Sequence, residues 1–314
     1  MSRSSEPDVA MDRQIELIGA AWGLGGADPG CAQAPAALAP LLVERLARCG
    51  ARALPGPILE PSPSERRKQL AVSRLCGLLA SAVADSLRHG RLPCVLGGDH
   101  SCAGGTWTGV ARAMDHRNFG LIWVDAHMDS HTPRTSPTGR LHGMPLAWLL
   151  GQDDDLLYGL AAGVVHPSHV ALVGVRSFEP EEAERLDRLG VRVFHMDEVR
   201  RRGLEPVFAD ALAIATTDTA GFGVSIDLDA ITPEEAPGVA TPATGGLGGA
   251  ELARALGTIS GRADLMAVEL VEYCPRLDRE GRSARVAVDV LAAALCGARH
   301  DAHVVAEALQ RHDS

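Results

Sequence analysis

Eight short apolar runs, most of them separated by longer segments of helical periodicity, leave this chain few ways to fold. The runs are Ile15 to Trp22, Ala51 to Leu54, Leu92 to Leu96, Phe119 to Asp125, Val170 to Val175, Val191 to Phe194, Phe222 to Asp227 and Leu265 to Val271. Strand-length runs alternating with helices mark βαβ units, whose strands lie parallel in one sheet. Leu121, Ile122, Trp123 and Val124 read as a strand covered on both faces. Helices are predicted at Pro35 to Ala47, Ser64 to His89, Cys102 to Met114, Pro180 to Leu189, Ala250 to Ile259 and Ser283 to Arg311. In the second, Val72, Leu75, Leu79, Val83 and Leu87 recur every three or four residues, and Ser64 is placed to cap its start. Pro40 is expected to kink the first helix or delay its start. With no internal repeat and no dividing linker, residues 13–314 read as a single α/β domain, an eight-stranded parallel sheet flanked by helices. Residues 1–12 read as a disordered N-terminal segment.

Charge narrows the function. Asp and Glu outnumber Lys and Arg by 40 to 30, the net charge is −10, and Lys68 is the one Lys in 314 residues. Binding phosphate backbones needs a basic surface, so no nucleic-acid partner is expected. No apolar run approaches the ~18 to 20 residues of a membrane span, and the polar start shows no secretory signal. Seven Cys without a C-x-x-C pair suggest reduced thiols in a cytoplasmic protein.

Ligands collect outside the carboxyl ends of the strands in open parallel sheets, and three of the runs end there in potential metal ligands. Gly97-Gly98-Asp99-His100-Ser101 follows the third run, Asp125-Ala126-His127-Met128-Asp129 closes the fourth, and Asp227-Leu228-Asp229 closes the seventh. A single Asp-x-Asp is more often a cap or a solvated loop. Three such clusters together resist that explanation, because charges are rarely buried without partners. If the strands continue that far, period-two alternation turns Asp125, His127 and Asp129 to one side, and Asp227 and Asp229 likewise. Two His and four Asp suit a pair of divalent cations, and the carboxylate excess favours manganese over iron, nickel or zinc. Two such ions can share a bridging hydroxide, a nucleophile at neutral pH.

These motifs, with Ser225-Ile226-Asp227-Leu228-Asp229 continuing through Pro233 and Pro237 to Thr241-Pro242, resemble those of the ureohydrolases, the arginase and agmatinase family, and most of all its arginase branch. The resemblance runs from the first strand to about Pro275. It implies an eight-stranded parallel sheet and two Mn2+ per chain, with Ni2+ or Co2+ also able to satisfy the donors. His100, Asp125, Asp129 and Asp227 would hold or bridge one side of the centre, and Asp125, His127, Asp227 and Asp229 the other. His142 matches the family's proton-shuttle His, and Glu272 the Glu that pairs with the substrate guanidinium. Glu269 is an alternative for that pairing, though Pro275 fixes the alignment on Glu272. The implied reaction is attack of a metal-bridging hydroxide on the guanidinium carbon, with Asp129 passing the proton to the departing nitrogen. The family also assembles as homo-oligomers, trimers or hexamers.

The substrate's tail is expected to meet the longest unpatterned loop, Met128 to Leu141. By the same resemblance Ser136 and Thr138 fall where arginase bonds the α-carboxylate, Glu179 falls where it faces the α-amino group, and Thr241 joins the substrate-binding residues. His131 and Arg140 replace Asn residues of arginase; Arg140, and His131 if protonated, favour an anionic tail, whereas agmatine's ammonium would meet repulsion. Arginine fits best, yielding ornithine and urea. Agmatine, a guanidino acid and formiminoglutamate are alternatives on the same centre. A noncatalytic metal-binding subunit and a single-zinc deacetylase of related fold are more remote.

Overall fold

The computed structural model describes residues 13–62, 67–152, 157, 159–160 and 162–297. Residues 1–12, the predicted cap Ser64 and the last predicted helix beyond residue 297 lie outside them. The strands are β1 (Ile15–Ala20), β2 (Ala53–Leu59), β3 (Leu92–Gly97), β4 (Gly120–Val124), β5 (Val170–Val175), β6 (Arg192–His195), β7 (Phe222–Asp227) and β8 (Leu265–Val271). All pair in parallel in the order β2-β1-β3-β8-β7-β4-β5-β6. Helices α1 (Ala34–Arg48), α2 (Lys68–Arg88), α3 (Ala103–Ala113), α4 (Pro145–Leu149), α5 (Pro180–Leu189), α6 (Met196–Arg202), α7 (Leu204–Thr216), α8 (Gly249–Gly257) and α9 (Arg282–Cys296) connect and cover them. Two apolar cores result, one on each face of the sheet.

Three departures from expectation have physical reasons. β2 runs on through Pro55, Gly56 and Pro57 because it is an edge strand, where a missing N–H leaves no ladder bond unmade. α1 runs through Pro40, which sits exposed; the Ala36 carbonyl that loses its helical donor is on the exposed side too, within reach of water. α6 and α7 were not expected. Gly203, at φ +83°, interrupts their periodicity, although Leu204, Val207, Phe208, Ala211 and Ala215 carry the buried stripe of α7. α2 is long and apolar enough to span a membrane by length and composition. More than half of it is buried, with Val72, Leu75, Leu79 and Val83 in the core.

The packing leaves specific glycines no room. A Cβ on Gly223 in β7 would stand 2.0 Å from the fully buried ring of Trp107, whereas one on Gly77 in α2 meets nothing within 4 Å. Gly223→Ala should therefore cost about 1–3 kcal/mol by overpacking, and Gly77→Ala should add about 0.5–1 kcal/mol by stiffening the helix. Thermal melts of the two variants check this; equal shifts of one sign would contradict it.

Candidate metal centre

Four adjacent central strands, β3, β8, β7 and β4, deliver the functional side chains from their carboxyl ends. At the end of β3, Gly98 lies against the backbone after β1. A Cβ there would fall 1.8 Å from the Trp22 carbonyl oxygen. Asp99 then accepts from Ser101 N and Gly25 N, which turns the chain and aims His100 inward. The strands do not extend through the motifs as the alternation argument required. β4 ends at Val124, and Asp125 accepts from His127 N at 2.7 Å. β7 ends at Asp227, which accepts from Asp229 N at 2.9 Å. These side-chain turns, with Asp129 at φ +46°, bring the carboxylates together where a straight strand would have spread them.

Ligand-type atoms of His100, Asp125, Asp129 and Asp227 converge in one group, and those of Asp125, His127 and Asp229 in a second, so Asp125 belongs to both. Asp227 falls in the first group alone. His100 Nδ1 stands 3.3, 3.0 and 3.1 Å from oxygens of Asp125, Asp129 and Asp227. Yet Nδ1 makes no properly directed hydrogen bond. Donor atoms about 3 Å apart that do not bond one another are what ligands sharing one small cation look like, since an octahedral shell of ~2.1 Å radius spaces its members so. His127 Nδ1 is 3.2 Å from Asp229 and 3.5 Å from Asp125. His127, at 26% exposure, is the most open of the six.

The electrostatics call for cations. The ion pairs of these four carboxylates among the described residues are all with His100 and His127. Burial, then Asp229 and Asp125, push Asp227 well above the carboxylate range; burial and Asp125 push Asp129 to about 6. Burial opposes charge on His100 and His127, but the acids around them win and raise both. Four packed carboxylates and an orphaned imidazole nitrogen fit a pair of divalent ions.

Beside this centre Glu272, 1% exposed and at φ +65°, follows β8, and its backbone N–H bonds Gly98 O. Its Oε1 accepts from His100 N and pairs with His142 Nδ1, both at 2.9 Å. Burial disfavours charge on both partners. Their mutual attraction nevertheless lowers Glu272 and raises His142 to about 9. Glu269 lies elsewhere, fully buried in β8 and bonded to Ser225 and Thr106.

His131 is buried, with Nδ1 at Thr135 and Nε2 3.0 Å from Glu179 and 3.3 Å from Glu182. The His131 hydrogen bond is the main cause that lowers Glu179, and burial raises Glu182 to about 8. Ser136 Oγ accepts from Gly139 N and Thr138 Oγ1 from Arg140 N; the Arg140 side chain is exposed. Thr241 Oγ1 donates to Asp229 Oδ2 at 3.2 Å. Sequence reasoning missed Glu182, whose capping-box position three residues after Glu179 was a readable signal. It also missed Trp123, which donates to Asp125 Oδ2 and stacks on His100 at 4.2 Å.

The family model described as the Arginase family matches residues 13–297. The chain is 41% identical to an arginase of Brevibacillus brevis over 215 residues, 68% of this chain and 72% of the relative. With an arginase of Bacillus subtilis (strain 168) it shares 34% over 293 residues, 90% and 97% of the two chains. The native structure of arginase from Bacillus caldovelox superposes with a TM-score of 0.85 at 35% identity, covering 92% of this chain and 99% of that one. The chain belongs to the arginase family.

Proposed function

We propose that this protein is a manganese-dependent arginase that hydrolyses L-arginine to L-ornithine and urea. The observation that carries the reading is the convergence of His100, Asp125, His127, Asp129, Asp227 and Asp229 into two groups sharing Asp125. Two manganese ions held there supply a hydroxide-like nucleophile at neutral pH. The chain does the rest. Glu272 orients the planar guanidinium against the centre. Asp129 accepts a hydrogen bond from the attacking water and takes up its proton for the departing nitrogen. His142, favoured as imidazolium by Glu272, donates to the leaving amine or relays protons.

For the tail, the reading gives the carboxylate to Ser136, Thr138 and Arg140, the α-amino group to Glu179, which His131 holds through Nε2, and a supporting place to Thr241. Thr138 and Arg140 line a half-open cleft of about 460 Å³ together with Gly25 and Lys68, and the two cations there would favour an anionic group. Arg140→Asn is expected to raise KM for arginine about fivefold, the scale of an exposed ion pair, and to leave agmatine unchanged. Equal effects on both would remove Arg140 from tail recognition. The reading extends to a homo-oligomeric, cytoplasmic protein, a trimer or hexamer; seven unpaired cysteines support a reducing compartment.

The test is incubation of the manganese-loaded protein with arginine, agmatine, guanidinobutyrate and formiminoglutamate, scoring urea or formamide. Urea from arginine above the others is expected. Preference for another of the four would reassign the substrate, and no turnover of any would end the enzyme reading.

A further inference from the structure

Behind the candidate ligand His100 lies a buried carboxylate that the reaction above does not use. Trp123 on β4 is in register with Ser225 on β7, and Ser225 with Glu269 on β8. Register partners point to one face of a sheet, so the three form a row beneath the imidazole. Trp123 stacks on its ring, at 4.2 Å and 12°. Ser225 Oγ lies 2.9 Å from His100 Nε2 and 2.8 Å from Glu269 Oε1. Glu269 is fully buried and takes further bonds from Thr106 Oγ1 and from Cys102 Sγ at 3.5 Å. No Lys or Arg ion pair reaches it among the described residues.

With Glu269 ionised, hydrogen-bond direction along this row is fixed. A carboxylate only accepts, so Ser225 spends its one proton on Glu269. Its oxygen then faces His100 as an acceptor, and His100 Nε2 must carry the hydrogen. In the neutral imidazole that binds a cation, the single ring proton then sits on Nε2 and leaves the lone pair on Nδ1, the atom that stands within 3.3 Å of three carboxylates. We propose that Ser225 and Glu269 are positioning residues that lock the tautomer and plane of His100 and hold its Nδ1 lone pair ready for the first metal ion. This rests on the metal-centre reading of His100. Such partners behind a ligand tune metal affinity by about 10–100-fold, and the buried negative charge of Glu269 also makes the imidazole a stronger donor.

The test compares Glu269→Gln and Ser225→Ala with the parent by manganese titration of the metal-free proteins and by their melting temperatures without metal. Expected is a 10–100-fold weaker affinity at one of two sites in both variants. The metal-free Tm of Glu269→Gln should hold or rise, because a buried charge without a cationic partner has been removed. A residue serving only the fold would instead lower that Tm and leave affinity alone. Thr106→Val, which removes a Glu269 contact outside the row to His100, should bind manganese within about threefold of the parent. Parent-like affinity at both sites in Glu269→Gln and Ser225→Ala would overturn the proposal while leaving the centre intact. A parent that binds no manganese would overturn both.

Discussion

Asp129→Ala is expected to lower guanidino hydrolysis by at least about three orders of magnitude. Two proposed roles meet in this one carboxylate. Its Oδ2 stands 3.0 Å from His100 Nδ1, within the first ligand group, and the same group is assigned the proton of the attacking water. Its backbone, at φ +46°, lies in a region that Asp and Asn tolerate better than Ala. Asp129→Asn is therefore the companion variant, keeping shape and backbone preference while removing the charge. Urea release from arginine is the measurement, with circular dichroism to show that both variants fold. Near-parental rates in either would refute the assigned constellation.

Glu272→Gln is the second large effect. Glu272, 1% exposed, is bonded through Oε1 at once by the His100 backbone and by His142 Nδ1. Removing one partner of a buried ion pair costs about 3–5 kcal/mol. If that loss is felt on the path to the transition state, kcat/KM falls by about 10²–10⁴-fold. Part should appear in KM, because Glu272 is proposed to meet the substrate cation, and part in kcat, because His142 loses its counter-charge. Manganese content should stay at the parental value, since Glu272 belongs to neither ligand group. Loss of metal with unchanged KM would give Glu272 a structural role instead.

The sheet was legible because strands buried on both faces write themselves as unbroken apolar runs. Val170–Val175, Phe222–Asp227 and Leu265–Val271 are found with the bounds expected of them. The candidate ligand positions were legible for a related reason. His100, Asp125 and Asp227 stand where apolar runs stop, and a charge there has to be explained. What escaped is set by contacts between distant segments. Glu269 interrupts an apolar run and reads as a competitor of Glu272. That it answers to Ser225 follows only from the register of β7 on β8. The true shape of the two Asp motifs escaped because local side-chain-to-backbone bonds end the strands sooner than alternation suggests.

The acidic balance of the chain also takes on a different meaning. Asp125, Asp129, Asp227 and Asp229 sit in the interior, where their charge needs cations, and Glu272 lies beside them. Metal binding should therefore stabilise the fold. At a free concentration a hundredfold above Kd the gain is about 2.7 kcal/mol per site.

Metal stoichiometry tests the central claim most directly. The protein is loaded with manganese, freed of unbound metal by gel filtration and analysed for metal and protein content. The account predicts two manganese ions per chain, and one or none would contradict it.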